Sequence, residues 1–219
     1  MVVRESFQTQ LDELRDMLVD LGRQAESALD DAIDSLKTQD VDKALRIIDN
    51  DFRINNLEEE INDKAILLIA KQAPVASDLR RIIVAIKISS DVERIADFAV
   101  NIAKSVIRIG KEPLIKELVD IPELAESAKT MLVEAIQAYN DEDIVLAKKM
   151  ADRDDLVDEK YGQLIQELLG SMKDYPDSTN QIIQLSFICR YIERAADHAT
   201  NIGENIVYLV KGKHYDLNE

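Results

Sequence analysis

Apolar residues recur at three- and four-residue spacing along almost the whole chain. Phe7, Leu11, Leu14, Leu18, Leu21, Ala25, Leu29, Ile33 and Leu36 form one stripe, the mark of a long amphipathic helix. Thr38-Gln39-Asp40 interrupts it, with Asp40 placed to cap the next helix. A second stripe runs through Val41, Ala44, Ile48, Phe52, Ile61, Ala65 and Leu68 and stops at Gln72-Ala73-Pro74. Proline removes a donor and restricts the residue before it, so it ends the helix. Ser77 or Asp78 is placed to cap a third helix running from about Asp78 to about Gly110. Residues 111–121 carry Pro113, lead into Pro122 and read as a connection. The pattern then restarts with helices near 122–140, 144–173 and 178–211, broken at Asn140-Asp141-Glu142-Asp143 and at Tyr175-Pro176-Asp177. Short breaks between long helices predict antiparallel neighbours in a bundle.

The two halves repeat. A shift of 103 residues pairs Leu29 with Leu132, Ile33 with Ile136, Asp40 with Asp143, Ala44 with Ala147, Asp51 with Asp154 and Asn55 with Asp158. Beyond the proline break the shift becomes 100, and seven of ten positions agree between 93–102 and 193–202. Shared amphipathicity yields chance Leu and Ala matches, but not the ungapped pair Glu93-Arg94-Ile95-Ala96-Asp97 and Glu193-Arg194-Ala195-Ala196-Asp197. The fold class is therefore all-α: two tandem three-helix bundles, six helices in all, over residues 1–112 and 113–219, related by internal duplication.

Composition narrows the partners. The 27 basic and 43 acidic residues give a net charge of −16, which repels nucleic acid and anionic lipid without a local basic patch. Arg80-Arg81 is the densest basic pair and sits inside a helical pattern, so nucleic acid is excluded as a partner. No window approaches eighteen apolar residues, which excludes direct insertion into a membrane. The single cysteine, Cys189, and an N-terminus without a signal-peptide core point to the cytoplasm.

The chemistry lies in the repeated acids. Successive helical residues turn by about 100°, so Glu93, Asp97 and Asn101 share a stripe that continues the apolar face of Leu79, Ile82 and Ile86. Glu193, Asp197 and Asn201 repeat it behind Ile182. A carboxylate in an apolar setting needs a partner, a proton or a metal. Asp51, Asn55 and Glu59 are spaced by four on the preceding helix, and Asp154 and Asp158 take the matching places in the second copy, with Gly162 replacing Glu59. Antiparallel packing would set these opposite the Glu-x-x-x-Asp pairs. Such all-oxygen clusters suit magnesium, manganese or iron better than structural zinc. The competing reading is a solvated, ion-paired helix face, with Arg94 three residues from Asp97. Duplication at equivalent places favours metal. His198 reads as a partly buried structural residue, His214 as part of a polar tail, Cys189 as core, and Arg80 and Arg81 as surface ion-pair formers.

Paired three-helix units with these two acidic stretches, the first preceded by Asp78-Leu79-Arg80, closely resemble the PhoU family of phosphate-uptake regulators. The second copy has Ser178-Thr179-Asn180 in place of Asp-Leu-Arg. The resemblance implies a non-catalytic cytoplasmic negative regulator of phosphate uptake and of the phosphate-starvation response. It implies a link between the Pst phosphate ABC transporter ATPase and a PhoR-type sensor histidine kinase, with a homodimer as the expected assembly. It implies iron, zinc or other divalent cations at Asp51, Asn55, Glu93 and Asp97 and at Asp154, Asp158, Glu193 and Asp197. The alternative is a di-iron or di-manganese carboxylate enzyme or a metal store. The enzyme class needs Glu-x-x-His pairs, and Ala96 and Ala196 stand where its histidines would be.

Overall fold

The computed structural model describes residues 2–115 and 118–217; residues 1 and 219, the outer limits of the two predicted repeats, and Lys116 and Glu117 of the connection lie outside them. The six predicted stripes fold as six helical rods, and no strand occurs among the described residues. The first half comprises α1 (Val2–Thr38), a rod broken into α2 (Val41–Asn50) and α3 (Phe52–Gln72), and α4 (Ala76–Ile109). The second comprises α5 (Asp120–Asp141), a rod broken into α6 (Ile144–Ala151) and α7 (Asp154–Ser171), and α8 (Thr179–Lys211), entered through a single 3-10 turn at Pro176–Ser178.

Local chemistry accounts for most ends. The Asp40 carboxylate accepts the Lys43 amide at 2.8 Å, and its repeat Asp143 accepts the Val145 and Leu146 amides at 2.8 and 3.1 Å, as helix caps do. α4 starts at Ala76 instead of being capped by Ser77 or Asp78; its N-cap is Val75, extended and without a side-chain cap bond. Asp78 lies in the first turn, 3.6 Å from Arg81, where negative charge complements the helix dipole. Neither middle rod is continuous. The Asp51 carbonyl accepts from both Ile54 and Asn55 amides, at 3.0 and 3.2 Å. The Arg153 amide reaches back only to Met150, at 3.0 Å. Both breaks fall beside a predicted ligand, Asp51 and Asp154.

α4 and α8 occupy the centre and pack on each other more extensively than any other pair. Arg80 lies beside Leu209, Asp91 beside His198, Phe98 beside Tyr191 and Arg108 beside Asn180, so the two helices run antiparallel. α1 packs on α4 and α5 on α8, while α1 and α5 meet across the halves. There a Cβ on Gly22 would come within 2.6 Å of Ile136. Leu18, Ile95, Met131, Cys189 and Ile202 belong to one apolar core shared by both repeats. The connection is tied down by two glutamines: Gln39 donates to the Glu112 carbonyl at 2.7 Å, and Gln181 accepts the Ile115 amide at 2.7 Å.

Arg80 is no surface ion-pair former. Its Nη1 donates to the Leu209 carbonyl at 3.2 Å, and its guanidinium lies 5.6 Å from the centre of the Tyr208 ring. Gly212, at φ +70°, admits it, since a Cβ there would stand 2.8 Å from the guanidinium nitrogens. At the other end of the pair Asn180 donates to the Arg108 carbonyl at 3.3 Å. Each long helix thus uses a side chain from its first turns to satisfy the other's C-terminal carbonyls. His214 is not idle either, stacking on Tyr208 with ring centres 4.0 Å apart. Arg80→Ala removes a charge-assisted bond and the ring contact and is expected to lower stability by about 2 kcal/mol. Urea unfolding measures it, and an unchanged midpoint would show the latch to be inert.

Candidate metal centre

Each acidic cluster forms where the broken middle rod faces the long helix after it. In the first, Asp51 lies at the break between α2 and α3 and accepts the Asn55 side-chain amide at 3.0 Å. Glu93 and Asp97 face them from α4. Burial raises the Glu93 carboxyl above its ordinary range; Asp97, Glu58 and Asp51 add repulsion, and Arg94 opposes it. Asp51 is raised likewise by burial, with the Asn55 hydrogen bond opposing and Asp97 adding repulsion. The Asn55 Oδ1 is buried without a hydrogen-bond partner.

The second cluster converges further. Asp158 of α7 and Glu193 and Asp197 of α8 each offer a carboxylate oxygen within 4.8 Å of the others, and no other such triad occurs among the described residues. Asp154, 5 % exposed, opens α7 one turn before Asp158 and stays outside the triad. Glu193 is 7 % exposed. Its Oε1 accepts Arg190 Nη1 at 2.6 Å, while its Oε2 is buried with no partner. Burial pushes this carboxyl up to about 7, with Asp197 and Asp158 adding and Arg190 and Arg194 opposing. Burial raises Asp197 as well, with Asp158 adding and the charges of Arg190, Arg194 and His198 opposing from a distance. Three carboxylates that repel one another, with an orphaned acceptor among them, fit a divalent cation.

Of the eight residues expected at the sites, Asp51 lies beside Asn55 and within electrostatic reach of Glu93 and Asp97, and Asp158, Glu193 and Asp197 meet closely. Glu59 points to solvent, and Glu58 takes its place beside Glu93. A helix of 3.6 residues per turn returns to the same face after seven residues better than after eight. Asn62, four residues on, donates to Glu58 at 2.5 Å. Sequence reading also missed Arg190, whose guanidinium reaches Glu193 and lies 5.8 Å from the centre of the Tyr161 ring; its spacing of three before Glu193 was the available signal. His198 turns away from the cluster, its Nδ1 2.9 Å from Asp91 Oδ1 on α4.

In sequence and overall fold the chain is similar to known proteins. The PhoU domain matches twice, at residues 18–106 and 121–206. A protein of Clostridium acetobutylicum named phosphate-specific transport system accessory protein PhoU homolog is 37% identical over 219 residues, the whole of both chains. One of Aquifex aeolicus with the same name is 37% identical over 213 residues, 96% of each. The crystal structure of the phosphate transport system regulatory protein PhoU from Streptococcus pneumoniae superposes with a TM-score of 0.90 at 30% identity, covering 96% of this chain and 99% of that one. PhoU from Pseudomonas aeruginosa gives 0.90 at 31%, covering 94% and 100%. In sequence, repeat and fold, the chain belongs to the PhoU family.

Proposed function

We propose that the chain is a non-catalytic accessory protein of phosphate transport that restrains uptake and the phosphate-starvation response, with divalent metal held at its acidic clusters. The accessory role is supported by the names of relatives that match over nearly their whole length. In this reading it acts in the cytoplasm, where it links the ATPase of a Pst-type transporter to a PhoR-type sensor kinase. No helix among the described residues is long and apolar enough to cross a membrane. Homodimer formation belongs to the same proposal, with exposed Ile183 and Phe187, one turn apart on α8, as apolar surface for it.

The observation that carries the metal reading is the convergence of Asp158, Glu193 and Asp197 around the orphaned Glu193 Oε2. Oxygen-only donors suit manganese, magnesium or iron(II), and also admit zinc. The cation would supply charge that fixes the α7–α8 contact and thereby the surface offered to a partner.

Three measurements test the proposal. Chelator-stripped protein is expected to gain about 5–10 °C in Tm with manganese at roughly a hundred times its Kd, and Asp197→Asn is expected to abolish most of that gain. No shift at any manganese concentration would remove the metal. Without metal, Glu193 titrates near 7 in the folded protein against an ordinary value of 4.5, so across that window the folded state holds a proton that the unfolded chain releases. Stability therefore falls as pH rises from about 5 to about 7, by roughly 2–3 kcal/mol. In Glu193→Gln this fall is expected to flatten, and a slope equal to the parent's would show that Glu193 is not its source. Co-precipitation from cells grown at high phosphate is expected to recover the transporter ATPase; its absence, with the protein folded and abundant, would overturn the accessory role.

A further inference from the structure

The two clusters are copies, yet their arginines lie differently. Arg94 and Arg194 hold equivalent positions, three residues before Asp97 and Asp197. Arg94 folds over its own cluster, with Nη1 2.9 Å from Asp97 and Nε 3.5 Å from Glu93. Arg194 instead lies across the α4–α8 contact, its guanidinium 5.6 Å from the centre of the Phe98 ring. The repeat sets His198 where Arg94 would find the matching ring, and His198 is held by Asp91 at 2.9 Å. The attraction of a guanidinium for an aromatic face is comparable to that of an exposed ion pair, so a ring within reach competes with a carboxylate for the arginine.

The charge balance follows. In the first cluster Arg94 touches two carboxylates, and Asn55 stands where the second copy has Asp158. In the second, Arg190 holds one oxygen of Glu193, and the other oxygen of this residue, 7 % exposed, is buried and unpartnered. We infer that Phe98, reaching over from the first half, keeps the second cluster open to a divalent cation by holding Arg194 off Asp197, while Arg94 closes the first. Phe98 is thus a positioning residue, and the second cluster loads before the first. This rests on the metal reading above. A single positive charge drawn a few ångströms closer to a divalent cation weakens its binding by about threefold to tenfold under aqueous screening.

Calorimetric titration of the chelator-stripped full chain with manganese tests it. The parent is expected to show its tighter site abolished by Asp197→Asn and kept in Asp97→Asn. Phe98→Leu retains apolar bulk without the aromatic face, and should weaken that site by about threefold to tenfold. Adding Arg194→Gln should restore it, which a merely structural role for Phe98 would not do. Arg94→Gln should tighten the first cluster by a similar factor without touching the aromatic contact. Unchanged affinity in Phe98→Leu, or a loss that Arg194→Gln leaves in place, overturns the inference while leaving the metal reading intact. Should Phe98→Leu fail to fold, an unchanged first cluster in Arg94→Gln overturns it. A parent that binds no manganese removes the metal reading itself.

Discussion

Two long helices pressed together antiparallel set the conditions for everything else. α4 has 34 residues and is about 50 Å long, and α8 is nearly its equal, so their contact supplies a continuous apolar seam. Buried alanines near its middle, Ala96 and Ala99 on one side and Ala195, Ala196 and Ala199 on the other, let two helices approach closely. The outer rods have only to cover what this pair leaves exposed. The ends of the seam are where backbone carbonyls would be stranded, and there Arg80 and Asn180 supply donors.

The same seam explains why carboxylates stand in poor surroundings. Glu193 lies between Ile192 and Ala196, both buried. Turning α8 far enough to wet Glu193 would drag those two out of the core, and burying one large aliphatic side chain is worth about 1.5–3 kcal/mol. Apolar packing therefore holds the acid where it is, and Arg190 relieves only one of its oxygens. In the proposed metal reading a cation would relieve that placement, so packing that has no polar role of its own would set the strength of a polar site.

This logic also shows what could be read from sequence. The stripes of α1 and α4, the cap at Asp40 and the break at Pro74 obey local rules, so they were legible along with the repeat. The breaks at Asp51 and Arg153 were not, since apolar periodicity runs through them undisturbed. Glu58 was missed for Glu59 because a spacing of four drifts about 40° each time, and two such steps leave the face. Arg80 and His214 found their partners on α8, more than a hundred residues from Arg80 in the chain, and neither local pattern nor composition carries that pairing. Convergence of Asp158 with Glu193 depends on how α7 leans on α8, which spacing alone does not fix.

Antiparallel packing of duplicated helices has a last consequence. Each half supplies surroundings for the other's acids, so an exchange at one position alters the opposite cluster. Phe98 and His198 are repeats of one another, and across the seam they meet Tyr191 and Asp91, also repeats. One pair has become a ring stack with centres 6.2 Å apart and the other a bond of 2.9 Å. A single half, closed on a second copy of itself, would have to make the same choice twice. Fusion of the halves frees each position to differ, and that freedom is what lets two clusters of common origin carry unequal charge.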